Sequence, residues 1–327
     1  MSAWASLDRI YLDSYLAPLQ TILARADVTD IYVNQPFEIW AETLGGTVER
    51  HDAPELDATT LARLARQVAA LSHQGISREH PLLSATLPGG ERIQLVIAPA
   101  TRGHLALAIR KYVAQDLSLE DYAERGAFAA VRQRQTVDKV DPSLADQLAR
   151  GDIPQLLRSA VRARKNIVIS GGTSTGKTTF LGALLREIPA EERLIFIEDT
   201  PELIIRHPNA VGLLAVRSEL GEARVDANDL VAASLRMRPD RIILGELRGS
   251  EALAFLRAVN TGHPGSMTTV HADSAERAIE QIALLVLQAG TRLNREDILH
   301  YVRSTIDVYV QLGRSGGVRT VTEVVLR

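Results

Sequence analysis

Cysteine is absent from this chain, which removes disulfides, thiol nucleophiles and Cys-ligated zinc in one step. Lysine is nearly absent, with only Lys111, Lys139, Lys165 and Lys177 among 37 basic residues. Charge of one sign is also missing: the net charge is -3 and the pI about 6.3, and aromatics make up 4% with no interleaving among basic residues. No positive field or stacking platform therefore advertises nucleic acid, and no sequence-specific nucleic-acid binding is expected. No apolar run reaches membrane-spanning length, and the N-terminus lacks the basic-then-apolar order of a signal peptide. The expected location is cytoplasmic, with peripheral membrane contact left open. What remains is 327 residues, 46% of them hydrophobic, enough for two domains with separate cores.

The scarcity of lysine throws Lys177 into relief. It closes the run Gly171-Gly172-Thr173-Ser174-Thr175-Gly176-Lys177-Thr178-Thr179, which fits the phosphate-binding loop G-x-x-x-x-G-K-[ST]. A short apolar strand, 166–170, precedes it, and a helix-period run through Phe180, Leu181, Leu184 and Leu185 follows. Glycines let the backbone curl until several N–H groups face one phosphate beside the positive end of the helix dipole. Lys177 would reach the β/γ-phosphates and the Thr178 hydroxyl would hold Mg2+. The pattern predicts a nucleoside triphosphate site.

Around it the chain divides. The stretch from Trp4 to Arg25 carries Leu7, Ile10, Tyr11, Leu16, Leu19 and Leu23 near helical spacing, either a packed helix or one for a membrane surface or partner. Strand-like runs at 30–34 and 38–42 flank Gln35-Pro36, and Leu61, Leu64, Val68 and Leu71 mark an amphipathic helix. Runs 91–98 and 104–112 alternate cleanly, with Ile93, Leu95 and Ile97 facing Leu105, Leu107 and Ile109 as in a hairpin. Together these predict an α+β N-terminal domain over residues 1–125. A polar stretch supplies a linker at 126–145, and a nucleotide-binding domain fills 146–327. There, strands at 166–170, 193–198, 241–247 and 266–271 alternate with helices at 177–188, 228–237, 250–260 and 274–288, implying a mostly parallel sheet. Segments 306–312 and 318–326 look like a closing antiparallel pair.

Three segments near predicted strand ends, where ligands bind in open α/β sheets, carry further chemistry. In Phe196-Ile197-Glu198-Asp199-Thr200-Pro201-Glu202-Leu203, Glu198 or Asp199 faces the Mg2+ region, or the segment is an acidic turn. The run 241–247 ends in Gly245-Glu246 without an aspartate, making Glu246 the candidate for polarising water directly or through Mg2+. Arg238 and Arg248 flank it, as phosphate contacts or ordinary ion pairs. His263 and His271 bracket the last parallel strand, and His271 at its end is the candidate for sensing a γ-phosphate. Arg92 and Arg110 share the hairpin face opposite Ile93 and Ile109, either ordinary strand surface or an arginine arm toward the nucleotide.

Four ordered blocks, GGTSTGKTT, FIEDTPEL, LRMRPDRIILGELRG and NTGHPGSMTTVHADS, resemble the traffic ATPases of type IV secretion systems, the VirB-eleven-like branch of the type II/IV secretion ATPases. DIYVNQPFEIWAE, GERIQLVIAPAT, LALAIRKY and SLEDYAERGAF extend the resemblance over nearly the whole chain. It implies an α/β fold in which a RecA-like P-loop C-terminal domain follows a smaller N-terminal domain, with nucleotide between them. It also implies a homohexamer hydrolysing ATP with Mg2+, serving pilus assembly and substrate transfer beside other secretion subunits at the cytoplasmic side of the inner membrane. By motif position Lys177, Glu246, Glu198 and His271 become catalytic candidates. Thr178, Glu198, Asp199 and Glu246 become metal candidates, and Arg110 is similar to an N-terminal arginine that approaches the γ-phosphate. Pilus-extension, pilus-retraction and type II secretion ATPases are the nearest rivals. They differ in a GHL-type histidine segment and, for type II members, a cysteine-rich insert. A RecA-like DNA motor and a docking ring with little turnover are the alternatives from other classes.

Overall fold

Alternation along the chain builds the first of two sheets. The structure, a computed structural model, describes residues 3–111, 141–216, 223–315 and 318–327. Helix α1 (Ala3–Leu23) leads into β1 (Val28–Val33), β2 (Glu38–Thr43) and β3 (Val48–Asp52). Helix α2 (Ala58–Leu71), capped by the Asp57 side chain on the Thr60 N–H, separates these from β4 (Leu82–Thr86), β5 (Arg92–Ile97) and β6 (Leu105–Arg110). The strands form an antiparallel sheet in the order β3-β2-β1-β6-β5-β4. The hairpin register is the one its alternation demands, with Ile93 opposite Ile109, Leu95 opposite Leu107 and Ile97 opposite Leu105.

The two faces of that sheet do different work. Ile93, Leu95, Leu105, Leu107 and Ile109 pack with Leu12, Leu16 and Leu19 of α1 and with α2, so α1 is a packed helix; Tyr11, on the helix's other side, stays exposed. Burying one such side chain stabilises by roughly 1.5–3 kcal/mol, which holds the helices to this face. The opposite face carries Tyr32, Val96, Ala106 and Ala108, and these join a core cluster of the C-terminal half. In Leu105-Ala106-Leu107-Ala108-Ile109 large side chains thus point to the helices and small ones to the second sheet.

The C-terminal half begins with α3 (Pro142–Ala149) and α4 (Ile153–Arg162), each capped by an aspartate and carrying proline in its first turn. Within the expected 126–145 stretch, Asp141 accepts from the Ser143 N–H and starts a helix. Residues 112–140, including the rest of that linker and the 118–128 block, lie outside the described residues. Then follow β7 (Ile167–Gly171), α5 (Lys177–Leu185), β8 (Leu194–Glu198), β9 (Ala210–Leu214), α6 (Ala227–Ser234), β10 (Arg241–Leu244), α7 (Glu251–Asn260), β11 (Met267–Val270), α8 (Ala275–Gln288), α9 (Arg295–Thr305), β12 (Val308–Ser315) and β13 (Val318–Leu326). The seven strands run β13-β12-β7-β11-β10-β8-β9, all parallel except the β12–β13 hairpin. The predicted strand at 241–247 ends at Leu244. The Gly245 N–H still bonds Ile197 O at 2.8 Å, but the Leu247 N–H crosses to Thr269 O at 2.8 Å, so the chain turns over the sheet edge.

Candidate active site

The C-terminal ends of β7, β11, β10 and β8 lie side by side, and each releases one of the expected residues. After β7 the chain reverses through Ser174 at φ 62° and Gly176 at φ 88°, and α5 begins at Lys177 with no side chain capping its N-terminus. Gly171 is tight against Thr175, so a side chain there would collide with that threonine; Thr175 Oγ1 donates to Gly172 O at 2.9 Å. Lys177 is nearly buried and folds back on the loop, donating from Nζ to Gly171 O at 2.9 Å and Gly172 O at 3.2 Å. Burial lowers its pKa; the Glu246 charge works the other way and Arg248 adds to the lowering.

Lys177 Nζ also lies 3.4 Å from both ring nitrogens of His271, which leaves the end of β11. His271 Nε2 in turn lies 2.9 Å from Glu246 Oε1. Arg248 binds the other oxygen of Glu246 and reaches to within 3.8 Å of Asp199. Gly245 explains why glycine precedes the glutamate: a Cβ there would sit 3.0 Å from Cγ of Glu198 on the neighbouring strand. Lys177, His271, Glu246, Arg248 and Asp199 are thus one chain of contacts across four strand ends.

The Thr178 hydroxyl donates to Glu202 Oε2 at 2.9 Å. Thr178, Asp199, Glu202, Glu246 and Arg248 line a small cavity of about 50 Å³. Its walls offer a hydroxyl and carboxylates, oxygen donors of the kind Mg2+ takes, beside the Arg248 guanidinium, and its volume suits one or two water-sized groups. Among the described residues no three carboxylates or histidines converge as a metal cluster, so these residues fit the expected ion only with phosphate oxygens and water completing its shell. A larger cavity of about 800 Å³ adjoins it, lined by Thr178, Thr179, Gly182, Leu203 and Ile204 among others.

Four of the expected residues stand outside that contact chain. Glu198 is buried with both oxygens taken. Oε1 accepts the backbone N–H groups of Glu202 at 3.0 Å and Leu203 at 2.9 Å, and Oε2 accepts from Arg102. As arranged here it braces the loop instead of offering a free carboxylate to a metal. Arg110 is exposed at the far end of β6 with Asp30 3.9 Å away, and the chain does not bring it to its own phosphate loop. His263 lies at the other end of β11 from His271, its Nδ1 3.0 Å from Ala258 O, and Arg238 pairs with Glu42 at 2.9 Å.

Sequence reasoning missed Arg102, the Glu202 carboxylate and Arg319. Arg102 and Glu198 are 96 positions apart, and no local pattern links them. Glu202 stood inside the acidic block, so its helical-turn distance from Glu198 was the available signal. Arg319 comes from β13 and donates from Nε to Ser174 O at 3.3 Å; a side chain on Gly176 would meet its Cδ at 3.0 Å.

Residues 14–314 match the family described as Type II/IV secretion system protein. The type IV secretion system protein VirB11 of Bartonella henselae is 41% identical over 326 residues, covering 94% of this chain and 91% of the relative. VirB11 of Brucella suis is 40% identical over 305 residues, covering 91% and 84%. The crystal structure of the VirB11 ATPase from the Brucella suis type IV secretion system, in complex with sulphate, has a TM-score of 0.91 at 37% identity, covering 99% of this chain and 97% of that one. With its phosphate loop, strand-end carboxylates and histidine gathered at one sheet edge, the chain belongs to the type II/IV secretion system protein family and is an ATPase of its VirB11-like branch.

Proposed function

We propose that this chain is a hexameric ATP-driven motor of a bacterial type IV secretion system, energising pilus assembly and substrate transfer through motion between an N-terminal domain (1–125) and a C-terminal domain (146–327). It would work at the cytoplasmic face of the inner membrane beside other secretion subunits; among the described residues no helix is long and apolar enough to cross a membrane. The observation that carries the reading is the contact chain from Lys177 through His271 to Glu246, next to the Thr178–Glu202 pair.

In this reading Gly171 to Thr179 cradle the phosphates, and Lys177 exchanges the carbonyls of Gly171 and Gly172 for phosphate oxygens. Mg2+ would neutralise phosphate charge, held by Thr178 with Asp199, Glu202 and Glu246 nearby. Glu246 orients and polarises the attacking water. His271 stands between Lys177 and Glu246, so a change at the phosphate-bound ammonium is felt at the carboxylate. Arg110 keeps its implied role only toward a nucleotide on another copy of the chain, which the hexamer supplies.

Two substitutions test this. Lys177→Ala is expected to abolish ATP turnover while circular dichroism shows an intact fold, and a turning-over Lys177→Ala enzyme would refute the site. Glu246→Gln is expected to bind ATP with affinity near wild type and lose phosphate release by about a hundredfold or more, about 2.7 kcal/mol in the barrier. Analytical ultracentrifugation checks the hexamer. ATPase stimulation by single-stranded DNA but not by anionic vesicles would favour a nucleic-acid motor instead.

A further inference from the structure

The turn between β5 and β6 is already held to the edge strand β9 by its backbone. Thr101 bridges Leu213, the Arg102 N–H donates to Gly212 O at 2.8 Å, and the Leu214 N–H donates to Ala100 O at 2.9 Å. The Arg102 side chain goes further than this docking needs. It crosses Gly212 so closely that a Cβ there would lie 2.5 Å from its Cδ. It then donates to Leu203 O at 2.8 Å and, from its other terminal nitrogen, to Glu198 Oε2.

Glu198 passes the constraint on. Its second oxygen holds the N–H groups of Glu202 and Leu203. Guanidinium and carboxylate together therefore grip both N–H groups and one carbonyl of the Glu202-Leu203 pair. Glu202, so held, turns its carboxylate to the Thr178 hydroxyl at 2.9 Å. Burial also pushes the Arg102 guanidinium down from its ordinary pKa, so the pair has little solvent to fall back on. A buried carboxylate that loses its cation is costly, and the segment must move to rehydrate it.

We propose that Arg102 is a positioning residue of the nucleotide site: through Glu198 it sets the Glu202 carboxylate against the Thr178 hydroxyl, tying the metal-holding oxygens to the seat of the N-terminal sheet on β9. The proposal rests on the reading of Thr178 as a metal-holding residue. Only an arginine does this, because its planar fork serves a carboxylate and a carbonyl at once, which a lysine ammonium on a flexible stem does not. Displacing the N-terminal sheet from β9 withdraws Arg102, frees Glu198 and loosens Glu202, so the arrangement of the first lobe is read out at the phosphate loop.

The test uses the full chain with Arg102→Gln, Arg102→Lys and Gly212→Ala, the last pushing the arginine aside without removing its charge. The first readout needs no nucleotide: amide hydrogen exchange at Glu202 and Leu203 is expected to speed up at least tenfold in Arg102→Gln and Gly212→Ala. The second is binding of a fluorescent ATP analogue with and without Mg2+. Metal-free affinity is expected to stay within twofold of wild type. The Mg2+ concentration for half-maximal tight binding should rise about tenfold, with Arg102→Lys intermediate near threefold. Faster exchange with an unchanged Mg2+ requirement overturns the proposal, since the arginine then only braces the segment. Equal loss of affinity with and without Mg2+ also overturns it, pointing to direct phosphate contact. Wild-type protein that binds no analogue would sink the nucleotide reading, and exchange that is unchanged in both variants would sink the relay on its own.

Discussion

Strand β8 is touched by the N-terminal sheet at both ends, and the two contacts are built on opposite principles. At its start, Arg193 is fully buried, stacked 3.9 Å from the centroid of the Tyr32 ring, and bonded to Asn34 Oδ1 at 2.7 Å, Asn209 Oδ1 at 2.6 Å and Met237 O at 2.9 Å. Tyr32 donates to Glu42 at 2.6 Å, and Arg238 binds the same carboxylate at 2.9 Å. Burial lowers the Arg193 pKa to about 10, which still leaves it charged at neutral pH. At the other end, Arg102 is partly exposed and pairs with the buried Glu198. The first contact is an anchor whose partners bond one another, Asn34 Nδ2 donating to Asn209 Oδ1 at 3.1 Å, and close on themselves. The second is bonded to groups that connect onward to the phosphate loop. One end of a strand fixes the lobes, and the other end carries information between them.

The largest effect that can break this contrast is at the anchor. Arg193→Met is expected to destabilise by about 3–5 kcal/mol, because the Asn34 oxygen and the Met237 carbonyl lose their donor, Asn209 keeps only the Asn34 amide, and the Tyr32 ring loses its stacked cation. Guanidinium unfolding measures it. Arg102→Gln should cost only about 1–2 kcal/mol in the same assay, because the Glu202-Leu203 segment can move to rehydrate Glu198 where the Arg193 site cannot, and a reversed order would overturn the division of roles.

The pH dependence sharpens the comparison from the loop side. The nucleotide-free fold holds Lys177 below its ordinary pKa of 10.5 by burial, so the folded chain releases that proton before the unfolded one does. Stability of the free protein should therefore rise slightly as pH climbs through the depressed value toward 10.5. Nucleotide affinity should fall over the same window, since the cation facing the phosphates is lost. Opposite slopes by thermal melting and by titration are expected, both absent in Lys177→Arg. Parallel slopes would mean that another group titrates. The smallest effect concerns the far edge of the sheet. Arg319→Gln removes one exposed hydrogen bond to the loop, and about a threefold loss in nucleotide affinity with no change in melting temperature is expected.

The fold was most legible where a pattern is local. The β5–β6 register followed from alternation, and the parallel strands from apolar runs between helices, because burial on one face or on both writes itself directly into the residue period. Helix α9 was overlooked although Asn294 caps it through the Asp297 N–H, a start signal present in the sequence. Strand β9 was overlooked because Ala210-Val211-Gly212-Leu213-Leu214 is short and broken by a glycine whose reason, the passage of Arg102, lies 110 residues upstream. Within the site, Lys177 and Thr178 are legible from the loop motif that opens α5, and Glu246 and His271 from their places just past strand ends. The hairpin face offers Arg92 and Arg110 alike, and the family resemblance singles out Arg110. Within one chain the side chain that reaches Glu198 from the hairpin is Arg102, since a turn and not a strand end makes that crossing. Nothing in residue spacing distinguishes Arg102 from Arg110.

The small side chains of β6 have a last consequence. Ala106 and Ala108 present methyl groups to the C-terminal half where their neighbours Leu105 and Leu107 present whole isobutyl groups to the helices. A seam made this way has no bulk to lose, so truncation is harmless there, whereas added volume acts as a wedge across two sheets at once. Tolerance along this strand should therefore be lopsided residue by residue, forgiving shrinkage on one side and growth on neither.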